Sequence, residues 1–506
     1  MKVLKLGTRR SLLAWTQSSW VADRIKAAHP DVKIELVGIE TRGDVIQNVS
    51  LQNVEGKEFF VAELDAALKN GQVDLTVHSL KDLSLERPHE FVCEAIPKRE
   101  NPRDAVLFTP KIIEKLKAGR KIKIGTSSPR RLENLPPFLK QALPFSPQIE
   151  FTEIRGNVNT RLSRVHEDES SPKYLDAVVL AAAGLIRLWN GENSRPELSK
   201  LLAGVRWMIL PLKECPTAPG QGALAVECRK DDIETRARVR SIHDENSARA
   251  VGLERALLAE WGGGCHQRFG ATLSVNEWLG DLLFVRGTKP DFTFVEETEW
   301  KKPSRPSKKL KSWDSSEWRA EKRKTEPLQV DPALSFAGRS VFVSHWRAAS
   351  SVAAGLSSSR LWASGTQSWF ELAKLGLWVE GCAEGFGFAD LQSTLNEPVL
   401  QLSNWMVLTH SAGLSSWEGI FPKASVIPTY RVEEALHAIP DLKDVECFFW
   451  SSGSIARTLT GSTEAKIPKN AIHCCGPGKT VKQLGALGLN PLVFPDREEW
   501  KKWLNR

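Results

Sequence analysis

One pattern repeats along the first two hundred residues. A short apolar stretch ends and a cluster of Gly, Thr, Ser or Arg follows. Residues 3–6 lead into Gly7-Thr8-Arg9-Arg10-Ser11, and residues 34–39 into Thr41-Arg42-Gly43-Asp44. Residues 73–77 alternate as a half-buried strand should and lead into His78-Ser79-Leu80-Lys81-Asp82. Residues 122–124 run into Gly125-Thr126-Ser127-Ser128-Pro129-Arg130-Arg131, 149–154 into Arg155-Gly156-Asn157, and 176–180 into an Ala-rich run ending at Arg187. Between them lie helical faces. Leu12, Leu13, Trp15, Trp20, Val21 and Ile25 share one, and Phe60, Leu64, Ala67 and Leu68 another. Strands alternating with helices predict doubly wound α/β domains.

The Gly-rich run 219–222 predicts a turn feeding a strand that crosses back to the first sheet. From 230 to 300 the pattern gives helices, the turn Gly262-Gly263-Gly264-Cys265 and a small strand near 282–285. Residues 301–337, rich in Lys, Arg, Ser, Pro and Glu, read as a solvated linker. Strands resume at 340–344, 405–408, 425–428, 446–450, 471–474 and 491–494. The expected division is two lobes over 1–229, the second at about 100–200, then a small domain at 230–300, the basic linker 301–337 and a further α/β region at 338–506.

At 506 residues the chain is too long for one core. Its net charge of +8 is largely local, because residues 301–324 hold ten Lys or Arg against three Asp or Glu. That distribution argues against a nucleic-acid surface. No run of 18 apolar residues exists and the start is too short and polar for a signal peptide, so no membrane partner and a cytoplasmic location are expected. The eight cysteines form no CxxC pairs of zinc spacing, and no metal is expected. A monomer is the default.

In doubly wound sheets ligands sit beyond the carboxyl ends of the strands. Eight arginines fall there: Arg9, Arg10, Arg42, Arg130, Arg131, Arg155, Arg161 and Arg187. Forked, permanently charged donors in this number predict a cleft for a ligand with many carboxylates or phosphates. His78, Lys81 and Asp82 are expected to stand together inside it. Cys265 follows three glycines that leave its thiol uncovered, which makes it a candidate nucleophile or attachment point.

The ordered set GTRRS, TRGD, EGKEFFVAELD, VHSLKD, PRDA, GTSSPRR, RGNVNTRLS, LAAAGLIRL, PGQGALAVE and LERALLAEWGGGC resembles porphobilinogen deaminase (hydroxymethylbilane synthase) over residues 1 to about 290. The resemblance implies two lobes of periplasmic-binding-protein type and a small α+β third domain. It implies an enzyme that joins four porphobilinogen units head to tail, with loss of ammonia, in porphyrin and haem biosynthesis. Its primer is a dipyrromethane held as a thioether on the position matching Cys265. Porphobilinogen and polypyrrole intermediates are the implied partners. Asp82, with Lys81, takes the catalytic role, contacting pyrrole nitrogens and stabilising the cationic intermediate. Ser11, Lys81, Asp82, Thr126, Ser128, Arg130, Arg131 and Arg155 would hold the cofactor. Arg9, Arg155, Arg161, Arg187 and Lys57 would hold substrate carboxylates. Three departures stand out: Ser84 where the family has Pro, Pro129 before the paired arginines, and His266-Gln267-Arg268 after the cysteine. The third domain is expected to be cut short after about 290.

The later region resembles uroporphyrinogen-III synthase, through Tyr430-Arg431, Ser452-Gly453-Ser454 after a strand, and Gly476-Pro477-Gly478-Lys479-Thr480. That resemblance implies a second activity, ring closure with inversion of the last pyrrole. Tyr430 would aid proton transfer, and Ser344, Thr409, Ser452, Ser454, Gly478 and Thr480 would line the cleft. The alternatives are a catalytically silent interaction domain in this region, or a two-lobed anion-binding module with no chemistry.

Overall fold

The structure is a computed structural model and describes residues 2–41, 61–263, 267–320, 325–432 and 439–505. Strands β1 (Lys2–Arg9), β2 (Val32–Ile39), β3 (Leu75–Ser79) and β4 (Phe91–Ala95) begin the first sheet. The chain then builds a second sheet from β5 (Asp104–Phe108), β6 (Ile122–Gly125), β7 (Ile149–Thr152), β8 (Ala177–Ala181) and β9 (Arg206–Ile209). It returns as β10 (Leu224–Arg229), which completes the first sheet. The orders are β2-β1-β3-β10-β4 and β7-β6-β8-β5-β9. In each sheet parallel neighbours are joined by one reversed strand: β10 lies antiparallel to β3 and β4, and β5 antiparallel to β8 and β9. Two crossings, 96–103 and 210–223, therefore connect the sheets.

Local chemistry fixes the helices beside these strands. The Ser11 hydroxyl accepts the Ala14 N–H at 3.4 Å and caps helix Leu12–Ala28, which buries Val21 and Ile25. Helix Pro129–Ala142 opens on Pro129, where a fixed φ and a missing N–H do no harm. The unexpected proline before the paired arginines is thus a helix start.

Helix Glu245–Glu260 is capped by Asp244, which accepts from Ser247 N–H at 2.7 Å. It packs Leu258 and Trp261 on an antiparallel sheet of β11 (Arg268–Asn276), β12 (Gly280–Thr288) and β13 (Phe294–Glu299). This sheet runs on to Glu299, beyond the expected stop near 290.

Residues 301–337 depart from the expected linker. β14 (Ser312–Asp314) pairs in parallel with β21 (Cys447–Trp450), and β15 (Thr325–Pro327) pairs antiparallel with β20 (Ser425–Val432). The apolar side chains of Trp313 and Trp318 find cover in the core beside β21, which outweighs the pull of the surrounding charges toward solvent. The rest of this half completes two sheets. β16 (Ser340–Val343), β17 (Arg360–Ala363), β18 (Val379–Cys382) and β19 (Met406–His410) give the order β15-β20-β19-β16-β17-β18. β22 (Ile472–Cys475) and β23 (Leu492–Val493) give β14-β21-β22-β23.

One apolar core spans the second sheet and the six-stranded sheet. Phe108 meets Trp378 edge-on at 4.9 Å, and Phe138 meets Trp369 at 5.2 Å. The two buried indoles donate to Trp207 O at 2.9 Å and Ala142 O at 3.1 Å. Such edge-on pairs contribute about 0.5–1.5 kcal/mol each beyond the area they bury. Further polar ties join the earlier part of the chain to the later: Arg103 to Glu384 at 2.8 Å, Lys213 to Asp496 at 2.6 Å, and Asn276 to Asp390 at 2.6 Å.

Candidate active site

Strand β3 is almost wholly buried and ends in a single 3₁₀ turn, Leu80–Asp82. Leu80 and Leu83 sink into a small core with Val61, Ala223, Ala225 and Val251. The Leu80 N–H donates to Ala223 O at 3.0 Å, which pins the turn to the start of β10. With its leucines anchored, the turn leaves Asp82 exposed and Lys81 half-buried.

Lys81 Nζ lies 3.4 Å from Gln221 Oε1. The Gln221 amide donates to Asp104 Oδ1 at 2.9 Å and to Pro102 O at 2.7 Å. Asp104, fully buried, also accepts from Arg130 at 2.8 Å and from Arg131 at 2.6 Å and 3.2 Å. Burial pushes this carboxyl up, but the two guanidinium groups outweigh it and hold Asp104 well below the usual carboxylate range. Arg130 and Arg131 further donate to Pro216 O and Val179 O, both at 2.9 Å. These two arginines, expected to lie open for a ligand, are buried and committed in part to Asp104. Among the described residues, Arg130 Nε is buried with no partner.

The cluster extends across the second sheet. Arg161 donates to Gly156 O at 2.7 Å and is lowered to about 10 by burial and by the charges of Arg131 and Arg155, against Asp82. Burial likewise lowers Lys81; Asp82 opposes it, while Arg131 and Arg130 add to it. Arg155 lies 3.4 Å from Glu153. Arg187 donates to Gly222 O at 2.6 Å, and burial lowers it to about 10 against the charge of Glu100. Ser11 caps its helix, and Thr126 Oγ1 accepts the Ser128 N–H at 3.3 Å. Lys81, Arg130, Arg131, Arg155 and Arg161 are thus five cations to three carboxylates, Asp82, Asp104 and Glu153. Lys81, Arg130 and Arg161 are lowered first by burial and in part by a neighbouring guanidinium, as crowded like charges require.

Two expected members, Arg10 and His78, stand elsewhere. Arg10 pairs with Glu40 at 3.6 Å on the surface. Arg9 closes β1 and contributes charge near His78. His78 does not join Lys81 and Asp82, because on β3 its side chain turns toward Thr76 Oγ1 at 3.0 Å and Glu227 at 3.3 Å. Beside it Arg87 donates to Glu227 at 2.7 Å and 3.0 Å and to Asp65 at 2.6 Å. Asp65, His78 and Glu227 could ligate a metal by spacing, but the Arg87 guanidinium already supplies the cation. Burial and Arg87 lower His78 to about 4, so its contact with Glu227 is a hydrogen bond of a neutral ring.

Cys265, Lys57 and Arg42 lie outside the described residues. The flanks of Cys265 do not. Gly262 and Gly263 take φ of 87° and 61°, conformations open to glycine. Gln267 donates to Gly263 O at 2.7 Å. A Cβ on Gly263 would come 3.3 Å from Leu85, three residues after Asp82. The chain on the N-terminal side of the cysteine therefore borders the continuation of the Leu80–Asp82 turn. The reading of the sequence gave no role to Asp104, Gln221 or Arg255. All three sit inside quoted motifs, PRDA, PGQGALAVE and LERALLAEWGGGC, but only the tertiary fold brings them to the Leu80–Asp82 turn.

In the later half, Thr409 and Tyr430 are buried in the six-stranded sheet. Tyr430 and Arg431 lie within β20 rather than beyond its end, and Arg431 pairs with Glu326 of β15. Ser344 donates its N–H to Leu408 O at 3.0 Å. Ser452 caps helix Gly453–Thr460 and its hydroxyl lies 3.1 Å from that of Ser454. Gly478 and Thr480 stand at the start of helix Lys479–Ala486, over the four-stranded sheet. The candidate residues thus divide between two sheets. A Cβ on Gly387, which opens helix Phe388–Leu395, would come 3.5 Å from the Gly478 Cα, so the helix starts of the two halves meet there.

Residues 4–237 match the family model described as porphobilinogen deaminase, dipyromethane cofactor binding domain. Similar curated proteins include the porphobilinogen deaminases of Shouchella clausii (41% identical over 278 residues, 55% of this chain and 81% of that protein) and Brevibacillus brevis (40% over 274 residues, 54% and 80%). That of Bacillus subtilis is 39% identical over 266 residues, covering 52% and 77%. Among solved structures, a periplasmic substrate-binding protein of an ABC transporter from Coxiella burnetii is 14% identical over 49% of this chain and 95% of its own, with a TM-score of 0.26, too low a likeness to build on. Among the described residues no helix is long and apolar enough to cross a membrane.

Proposed function

Since the chain belongs to the porphobilinogen deaminase family, we propose that it condenses four porphobilinogen units head to tail, releasing ammonia at each coupling, to give hydroxymethylbilane. The observation that carries this reading is the excess of cations around one exposed carboxylate, Asp82. Each pyrrole of the substrate bears an acetate and a propionate, so the growing chain is a polyanion. Arg9, Arg155, Arg161, Arg187 and Lys57 would hold those carboxylates.

The residues also fit the family's dipyrromethane. Arg130 keeps a buried Nε without a partner among the described residues, and the cations around it outnumber the carboxylates. Cys265 would carry the group, with Ser11, Lys81, Asp82, Thr126, Ser128, Arg130, Arg131 and Arg155 around it. When bound, the group supplies a covalently held pyrrole to which substrate units are joined, so no intermediate has to be rebound.

Asp82 would do the chemistry on the substrate. Its carboxylate accepts from the pyrrole N–H and stabilises the positive charge that develops as the aminomethyl C–N bond breaks. A carboxyl oxygen there can carry a proton to the departing amine, or take up the proton lost when the new carbon–carbon bond forms. Lys81, held by Gln221, adds a fixed positive charge for a substrate carboxylate. Intact-mass measurement with peptide mapping tests the reading. An adduct of two porphobilinogen units less their ammonia is expected on Cys265. A chain that stays unmodified after incubation with porphobilinogen would overturn it.

For residues 338–506 we infer a uroporphyrinogen-III synthase-like activity. The feature that favours it is two separate α/β sheets whose helix starts meet at Gly387 and Gly478. Ser452, Ser454, Gly478 and Thr480 would hold carboxylates on one side, and Thr409 and Tyr430 would act from the other. The ring isomer formed from porphobilinogen by the full chain decides the matter. The isomer with one inverted pyrrole is expected. Formation of the symmetric isomer alone would mean a catalytically silent domain.

A further inference from the structure

Arg255 stands one residue after Glu254 on helix Glu245–Glu260, the helix that leads to Cys265. Its guanidinium makes three hydrogen bonds to backbone carbonyls: Leu80 O at 3.0 Å and Leu83 O at 3.1 Å from Nη1, and Ser84 O at 2.8 Å from Nη2. These three carbonyls bracket the turn that carries Lys81 and Asp82. Glu254 grips the other side of the site. It accepts from Arg99 at 2.6 Å and 2.9 Å, from the Gly220 N–H at 2.8 Å and from the Leu273 N–H at 2.7 Å. Two consecutive side chains of one helix therefore hold the catalytic turn and the turn bearing Gln221.

We propose that Arg255 is the positioning residue that sets the catalytic turn. Ser84, two residues after Asp82, leaves the backbone of the turn free where a proline would restrict it. A proline ring fixes φ and limits what the unfolded turn can sample. Serine leaves that freedom. The three carbonyl bonds from Arg255 remove it from outside, because a planar fork with several donors can hold several acceptors in one geometry. Asp82 is exposed at the corner of the turn, so its aim depends on the carbonyls behind it. The proposal rests on the reading of Asp82 as the catalytic carboxylate.

The test uses the full chain and four variants: Arg255→Met, Arg255→Lys, Ser84→Pro and the double Arg255→Met/Ser84→Pro. Ammonia release, melting temperature and intact mass are measured for each. Loss of aim by a fraction of an ångström to an ångström should reduce turnover about 10- to 100-fold in Arg255→Met, with the Michaelis constant for porphobilinogen little changed. Arg255→Lys, with one donor head on a flexible stem, should fall between. Ser84→Pro alone should match the parent. The double variant should recover turnover at least several-fold over Arg255→Met, and a purely structural loss would not respond in this way. Unchanged turnover in Arg255→Met, or no recovery in a folded double variant, would overturn the proposal. If Arg255→Met does not fold, parental turnover in Arg255→Lys would overturn it. A parent chain that releases no ammonia and carries no adduct would defeat the underlying reading instead, and is told apart by the parent's own mass.

Discussion

The imidazole of His78 illustrates what a side chain's neighbours decide. Burial and the charge of Arg87 lower it to about 4, while Asp65 pulls the other way. In the unfolded chain the ring titrates near its ordinary value of 6.5. Between those values the unfolded state binds a proton that the folded state refuses, so stability is full above about pH 6.5 and falls as the pH drops toward 4. The full shift corresponds to ~3 kcal/mol. A His78→Gln variant should flatten the dependence of melting temperature on pH in that window. An unchanged slope would rule out His78 as the source. The sequence made Lys81 and Asp82 legible, because a polar pair after a strand has few places to go. It placed His78 with them wrongly, because the outward or inward turn of a strand residue depends on which sheet face is covered. Asp104, Gln221 and Arg255 were silent because each acts on residues distant in the chain.

At the scale of elements, the strands of the first two sheets were legible because apolar runs ended in turn chemistry. The crossing strand β10 was legible too, from the Gly-rich run before it. Strands β17 and β18 gave no signal. They are four residues long and buried on nearly every side, so no alternation marks them, and the Arg360–Glu380 pair puts charge inside them. The short strands β14 and β15 were hidden by the charges around them. Trp15, spaced on the apolar face of its helix, is 39% exposed. That helix divides its apolar contacts, Val21 and Ile25 against the first sheet and Leu12 and Leu13 toward the core of the second, and Trp15 falls between them.

Over the whole molecule, the junction between the second sheet and the six-stranded sheet carries its own titration. Glu214 is raised to about 7, by burial and then by the charge of Glu384, against Lys213 and Thr366. A carboxyl with a raised folded value contributes stability that is fully present below its unfolded value of 4.5 and is lost as the pH rises through about 7. Glu214→Gln removes the charge and should raise the melting temperature by a few degrees at pH 8, with little change at pH 5. An equal shift at both values would place the cause elsewhere.

The shared core also has a consequence for the order in which the chain is made. Phe108, Phe138 and Trp207 leave the ribosome well before Trp369 and Trp378, whose side chains cover them. At roughly 5–20 residues per second, that face of the second sheet stands uncovered for on the order of ten seconds or more. A nascent chain of this kind exposes a ready landing place for a chaperone, and its N-terminal half cannot reach its final packing until the later sheet has been synthesised.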